Sequence, residues 1–371
     1  MQYHRMAIER EAPEQLGYNR IKYNLSESSY TDQLLDTTNL NLHKLVLCYG
    51  DHLGNPQLRQ VLATDYGVDA NDVLITAGAA SALFMVATAL LTPKDTILVM
   101  TPNYATNIET PRTIGCKVVN LPVKIEDNFR LNIDLLRYFV EIHRPKLISL
   151  TTPHNPTGSM LSAGDLYVVA QLAEKYKCYV LVDETYRDLA LITLPALAAT
   201  LSNRIISVSS MSKTYGLPGI RIGWLVCKEK SVMEQLLAAK EQMFICNSVV
   251  DEEIALQVLQ QKNTLLPNII ADVKTKLGIV TNWLQTQPLL DYVLPDGGVV
   301  CFPRINLSIN TKYFYKQLFA KYGTYVGRGG WFDMPDNYFR IGYAWMPNNT
   351  DLQQGLNNIS QVLEEMANDK G

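Results

Sequence analysis

The feature that most constrains the fold is a series of short, nearly unbroken apolar runs at 72–76, 96–100, 117–121, 147–150, 179–182, 205–209 and 223–227. A run that is apolar at consecutive positions has no wet face, so each reads as a strand covered on both sides. The covering material lies between them as helical spacing, most clearly over 163–176 and 229–243. The expectation is an α/β domain whose sheet is buried between helices. One stretch imitates a membrane span, because 73–93 carries no charged residue. Gly78 and Ser81 interrupt it and Pro93 closes it, so a short strand entering a buried helix is the better reading.

A chain of 371 residues suits one large domain and a smaller one. A long helical pattern at 265–287 leads out of the strand-rich region into a smaller α+β unit, with strand patterns at 297–302 and 338–343 and helical ones at 312–322 and 351–367. Residues 1–43 read as an irregular arm and part of the small domain, with 21–25 as a strand; 44–264 form the large domain, and 265–371 the linker helix and small domain. A net charge of −3 gives no reason to expect nucleic acid or an anionic membrane as partner. The six cysteines stand singly, as in a reducing compartment, and the five histidines lack ligand spacing, so no metal site is expected. The polar N-terminus shows no apolar signal segment, which makes the expected location cytoplasmic.

Four motifs carry chemistry. The turn TAGAAS at 76–81 joins strand to helix through small residues, so that amides at a helix N-terminus can approach an anion. The loop TPHNPTG at 152–158 stiffens a carboxyl strand end with two prolines and presents Asn155. In VDETY at 182–186, Asp183 ends an apolar strand; a carboxylate buried there needs a cationic partner, and Tyr186 follows three residues on. The stretch 207–224 sets Lys213 after a run of serines and eight residues before Arg221. Hydroxyls and a guanidinium suit a phosphate, and a lysine of lowered pKa is a Schiff-base nucleophile. A Walker loop is excluded because Ser212 stands where glycine is needed. Ser210 to Lys213 is formally SxxK, but the Lys-Thr-Gly that such hydrolases require is absent.

Together these residues, in this order from about Tyr23 to Leu363, resemble the fold-type I pyridoxal-phosphate enzymes, specifically the class I/II aminotransferases related to aspartate aminotransferase. The resemblance implies a large cofactor-binding domain with a mainly parallel, seven-stranded sheet flanked by helices, plus a smaller α+β domain. It implies that Lys213 carries the internal aldimine to pyridoxal 5'-phosphate and acts as general base, that Asp183 pairs with the ring nitrogen, and that Tyr104 stacks on the ring. Asn155 and Tyr186 would reach the ring oxygen; Ala79, Ala80, Ser210 and Arg221 would hold the phosphate; Arg340 would clamp the substrate carboxylate. Tyr49 would reach the phosphate of a neighbouring subunit, which makes a homodimer part of the implication. Amino acids and 2-oxo acids are then the small-molecule partners.

The chain departs from the family at three places. Residues 24–28 read NLSES where relatives carry glycines. Either Glu27 points into the substrate pocket, disfavouring dicarboxylic amino acids and favouring a cationic side chain such as arginine's, or it is a solvated residue of the arm. Residues 240–247 offer no arginine of the kind aspartate-specific members carry. At 327–332, GRGGWF replaces the usual Pro-Gly, and Arg328 and Trp331 either shape the pocket or pack. The leading expectation is an aminotransferase acting on an L-amino acid. The alternative is elimination, cyclisation or oxidation on a basic amino acid, in the manner of capreomycidine synthase. A ligand-sensing transcription regulator is disfavoured, since no basic stripe appears.

Overall fold

A computed structural model describes residues 1–35 and 40–368. The strands are β1 (Tyr23–Leu25), β2 (Val73–Thr76), β3 (Thr96–Thr101), β4 (Lys117–Pro122), β5 (Leu147–Thr151), β6 (Tyr179–Asp183), β7 (Ile205–Ser210), β8 (Gly223–Cys227), β9 (Leu290–Asp291), β10 (Val300–Cys301), β11 (Arg304–Ile305), β12 (Thr324–Arg328) and β13 (Phe339–Gly342). Seven of them form one sheet in the order β2-β8-β7-β6-β5-β3-β4. Only β8 runs against the others, pairing antiparallel with β2 and β7. The mainly parallel, seven-stranded sheet expected from the resemblance is therefore present.

Both faces of this sheet are dry, for the reason the apolar runs suggest. The helices are α1 (Ala7–Arg10), α2 (Pro13–Leu16), α3 (Pro56–Tyr66), α4 (Gly78–Leu90), α5 (Ala105–Ile114), α6 (Ile133–His143), α7 (Ala163–Tyr176), α8 (Met211–Thr214), α9 (Lys230–Phe244), α10 (Val249–Gln260), α11 (Lys262–Leu284), α12 (Thr311–Tyr322) and α13 (Asn349–Asn368). Leu98, Ile148, Leu150 and Val180 pack with Leu136 of α6 and Val169 of α7. Their alternates Ile97, Val99, Leu147 and Leu181 pack on the other side with Val86 of α4 and Leu236 of α9. Each such side chain, fully withdrawn from water, contributes about 1.5–3 kcal/mol. The uncharged stretch 73–93 is β2 followed by α4, and among the described residues no helix is long and apolar enough to cross a membrane.

Local signals set several helix ends. Ser162 and Asp165 form a capping box at the start of α7. Asn55 caps α3, which stops at Gly67 in the left-handed region. The second sheet, β1-β12-β13-β10, is less local: β1 pairs in parallel with β12 across some 300 residues, matching Tyr23 with Thr324 and Leu25 with Val326. The strand read at 21–25 thus belongs with the C-terminal strands. The helical pattern at 265–287 is α11, which begins and ends three residues earlier, and β12 had no counterpart in the sequence reading because GTYVGRGG looks like a loop until β1 and β13 flank it.

One glycine governs how the N-terminal segment seats on this sheet. A Cβ on Gly342 would overlap the carbonyl oxygen of Glu27. With backbone on one side and β13 on the other, neither partner can yield cheaply, so Gly342→Ala is expected to destabilise by about 1–3 kcal/mol. Chemical denaturation of the purified protein, read by tryptophan fluorescence, measures this. An unchanged midpoint would show that the Glu27 segment is not held against β13.

Candidate active site

The carboxyl ends of the parallel strands open onto a cavity of about 560 Å³. Strand register brings its polar groups together: Thr151 at the end of β5 lies beside Asp183 at the end of β6, and Asp183 lies beside Val208 of β7. Two residues beyond Val208 the strand ends at Ser210, and α8 begins at once, so Lys213 sits in its single turn and reaches back over the sheet edge. Lys213, Asp183, Asn155, Tyr104, Tyr186, Ser210, Ala79, Ala80, Arg221, Arg340 and Glu27 all line this one cavity. Only Tyr49 among the sequence-derived site residues does not; it stands 80% exposed, beside 246–250.

Burial dominates the electrostatics of the central pair. It pushes the Lys213 ammonium below its ordinary pKa, with Glu27 opposing and Arg340 and Arg221 assisting. The Nζ atom donates to Ser28 Oγ at 3.2 Å. Burial likewise raises the Asp183 carboxyl, while Thr185, Asn107 and Lys213 pull it back. Its neighbour Glu184 points the other way and is satisfied by an ion pair with Arg187 at 2.9 Å. Asp183 has no such pair among the described residues: Thr185 N–H donates to it at 3.0 Å, and the rest of its demand for a cation is unmet. Such a carboxylate suits a protonated ring nitrogen.

The small-residue turn builds an anion cradle. Helix α4 starts at Gly78 without a side-chain cap, which leaves its first amides free toward the cavity. Gly78 has φ +78°, and a Cβ there would strike the Arg221 guanidinium, so the lack of a side chain lets Arg221 lie against the helix start. Gly223 of β8 makes similar room for the backbone at Gly78 and Ala79. Arg221 is fixed by its Nη1 donating to Pro218 O at 2.9 Å.

Arg340 on β13 is buried, donating through Nη1 to Asn155 Oδ1 at 2.9 Å and through Nη2 to Ser26 O at 2.6 Å. Its Nε has no partner. With Asn155 Oδ1 used this way, the amide Nδ2 is left as the donor. Tyr186 donates to Ser28 O at 2.6 Å, and burial pushes its pKa up to about 12. The Tyr104 hydroxyl donates to Glu9 Oε1 at 3.1 Å.

Sequence reading missed the arm's contribution. Glu9, Glu14 and Tyr18 line the cavity, as does Asp32; Trp331, for which the sequence left pocket and packing roles open, lines it too. The arm is pinned from below: Tyr325 donates to Glu11 O at 2.7 Å and Trp331 Nε1 to Glu11 Oε2 at 2.8 Å. Arg328 stays outside the cavity, over the Tyr315 ring. The only advance signal was the acidic character of 9–14, which is common on exposed segments. Glu27 is not a solvated residue. Burial raises its pKa, Lys213 lowers it, and the Tyr18 hydroxyl donates to its Oε1 at 3.0 Å.

The family model for aminotransferase class I and II matches residues 16–358, and the chain belongs to that family. Its cofactor is pyridoxal phosphate, and the uncapped α4 start, the unpaired Asp183 and the buried Lys213 fit that group. The chain is 27% identical to capreomycidine synthase of Streptomyces vinaceus over 87% of this chain and 82% of that one. It is 27% identical to an arginine–pyruvate transaminase of Pseudomonas aeruginosa over 76% of this chain and 74% of that one. A pyridoxal-phosphate-dependent aminotransferase from Streptococcus suis superposes with a TM-score of 0.90 at 26% identity, covering 99% of both chains.

The charge on Glu27 favours the protonated form of Lys213. Removing it leaves burial and the two arginines to act, so the lysine's pKa falls further. In Glu27→Gln, the pH midpoint for uptake of pyridoxal phosphate by the apoprotein, followed by visible absorbance, is expected at lower pH than in the wild type. A midpoint that stays or rises would contradict the coupling.

Proposed function

We propose that the protein is a pyridoxal-phosphate-dependent aminotransferase that moves the amino group of an L-amino acid to a 2-oxo acid. The observation that carries this reading is the convergence on one cavity of a buried lysine, an unpaired buried carboxylate and an arginine with a free Nε. When bound, the cofactor supplies an aldehyde and an electron-withdrawing ring. The free amides of Ala79 and Ala80, with Ser210 and Arg221, would hold its phosphate. Asp183 would keep a proton on the ring nitrogen, Tyr104 would pack against the ring, and Asn155 Nδ2 would donate to the ring oxygen. Tyr186, whose hydroxyl donates to Ser28 O, would reach that oxygen as well. Arg340 would hold the α-carboxylate in a fork, and Lys213 Nζ, the anchor of the cofactor, would take the proton from the substrate Cα.

The same reading makes the working form a homodimer. Val46, Leu47 and Tyr49 stand 71%, 76% and 80% exposed, an apolar run that a second copy would cover while Tyr49 completes the partner's phosphate site. The six unpaired thiols suit the cytoplasm. A second reading keeps these residues and changes the outcome to elimination, ring closure or oxidation on a basic amino acid. Similarity to capreomycidine synthase and the carboxylate of Glu27 in the cavity favour it.

Lys213→Ala is expected to abolish the visible absorbance of the bound cofactor and all turnover; a wild-type spectrum in that variant would remove the assignment. Arg340→Ala is expected to raise the KM for amino acids roughly 100-fold or more with the cofactor spectrum intact. Single-turnover reactions with the common L-amino acids, with products identified by mass, separate the two readings. A 2-oxo acid with the whole substrate side chain, formed without release of ammonia because the amino group stays on the cofactor, supports transamination, and a cyclised, eliminated or oxygenated product, or free ammonia, overturns it.

A further inference from the structure

Once the groups assigned above are set aside, the cavity holds an excess of negative charge that they leave unused. It is lined by Glu9, Glu14, Glu27, Asp32 and Asp183 against only Lys213, Arg221 and Arg340. Asp183 and Arg221 answer the cofactor, and Arg340 answers a carboxylate. What remains is Lys213 facing four carboxylates. Among the described residues none of these four forms an ion pair, although Glu9 accepts from Tyr104 and Asp32 from Trp345 Nε1 at 2.9 Å.

Glu27 is the innermost of them and the best defined. Its backbone is held by the missing side chain of Gly342, and its carboxylate by the Tyr18 hydroxyl. Tyr18 is itself stacked on Trp345, ring centroids 5.8 Å apart at 16°. Carboxylates beside fixed aromatic rings form a receptor for an organic cation. In the same cavity the buried guanidinium of Arg340, which has no carboxylate partner among the described residues, is the group an anion would pair with. A ligand that satisfies both ends is an α-amino acid with a positively charged side chain.

We propose that the substrate side chain ends in a guanidinium or ammonium group received by Glu27, with Glu14, Asp32 and the Tyr18 ring around it, while Arg340 holds the α-carboxylate. This rests on the reading of the cavity as an amino-acid site. A dicarboxylic substrate would bring its second carboxylate against Glu27 and Asp32. A neutral apolar side chain would leave the Glu27 charge desolvated without compensation.

The test uses holoenzyme and ligands that lack a primary amino group and so cannot form a Schiff base with the cofactor. Calorimetry compares 5-guanidinovalerate and 6-(dimethylamino)hexanoate with neutral 5-ureidovalerate. At least one charged ligand is expected to bind about 30-fold tighter than the neutral one, the magnitude of a hydrogen bond between charged groups. The tighter of the two names the head group. Glu27→Gln is expected to reduce the preference to about threefold or less, and Glu27→Asp to retain part of it. No preference in the wild type, no binding of either charged ligand, or an equal loss for charged and neutral ligands in Glu27→Gln overturns the proposal. Visible absorbance of the same samples keeps the two readings apart. A colourless protein that still prefers the charged ligand overturns the cofactor roles and sustains this inference, and a coloured one without preference does the reverse.

Discussion

The register of three parallel strands is the constraint on which the site depends. Because β5, β6 and β7 pair in step, Thr151, Asp183 and the residues after Val208 reach the sheet edge together. Strands buried on both faces can end only where helices stop covering them, so their polar termini collect in one crevice. A slip of one residue in β6 would turn Asp183 into the layer where its neighbours pack and bring Glu184 to the edge. The apolar alternation between Val180 and Leu181, committed to opposite cores, is what forbids that slip.

The same register decides which of two adjacent carboxylates is left wanting a cation. Glu184 has Arg187 within its own turn, and Asp183 has only neutral donors. Burial raises both, so the difference lies in partners rather than depth. An unmet demand of this kind is costly in an apo protein, and a positively charged group placed against the carboxylate would answer it. Lys213 mirrors it: burial favours the neutral amine, the form that acts as nucleophile and base.

The second sheet and the arm contribute one wall of the cavity. β1 brings residues 24–28 beside β13, so that Glu27, Ser28 and Arg340 meet although more than 300 residues separate them in the chain. The arm then closes over this edge through Glu11, which takes hydrogen bonds from Tyr325 and Trp331. In the proposed reading, the groups that would hold the cofactor come from the large sheet, and those that would select a substrate come from the small sheet and the arm.

Strand runs, the helix over 163–176, and the order of the four motifs were legible in the amino-acid sequence, because they rest on local periodicity and on residue types with a single chemistry. By sequence alone the chain determined a two-faced sheet and a set of groups suited to pyridoxal phosphate. Pairing of β1 with β12, the strand hidden in the glycine-rich 323–330 segment, and the entry of Glu9, Glu14 and Tyr18 into the cavity were decided only in three dimensions. β1 meets β12 across some 300 residues and Glu9 meets Tyr104 across 95, and no local pattern encodes contacts of that length. Glu27 shows the division most clearly. Its identity marked a departure from related chains, but whether it was solvated or turned inward depended on a glycine at 342 and a hydroxyl at 18.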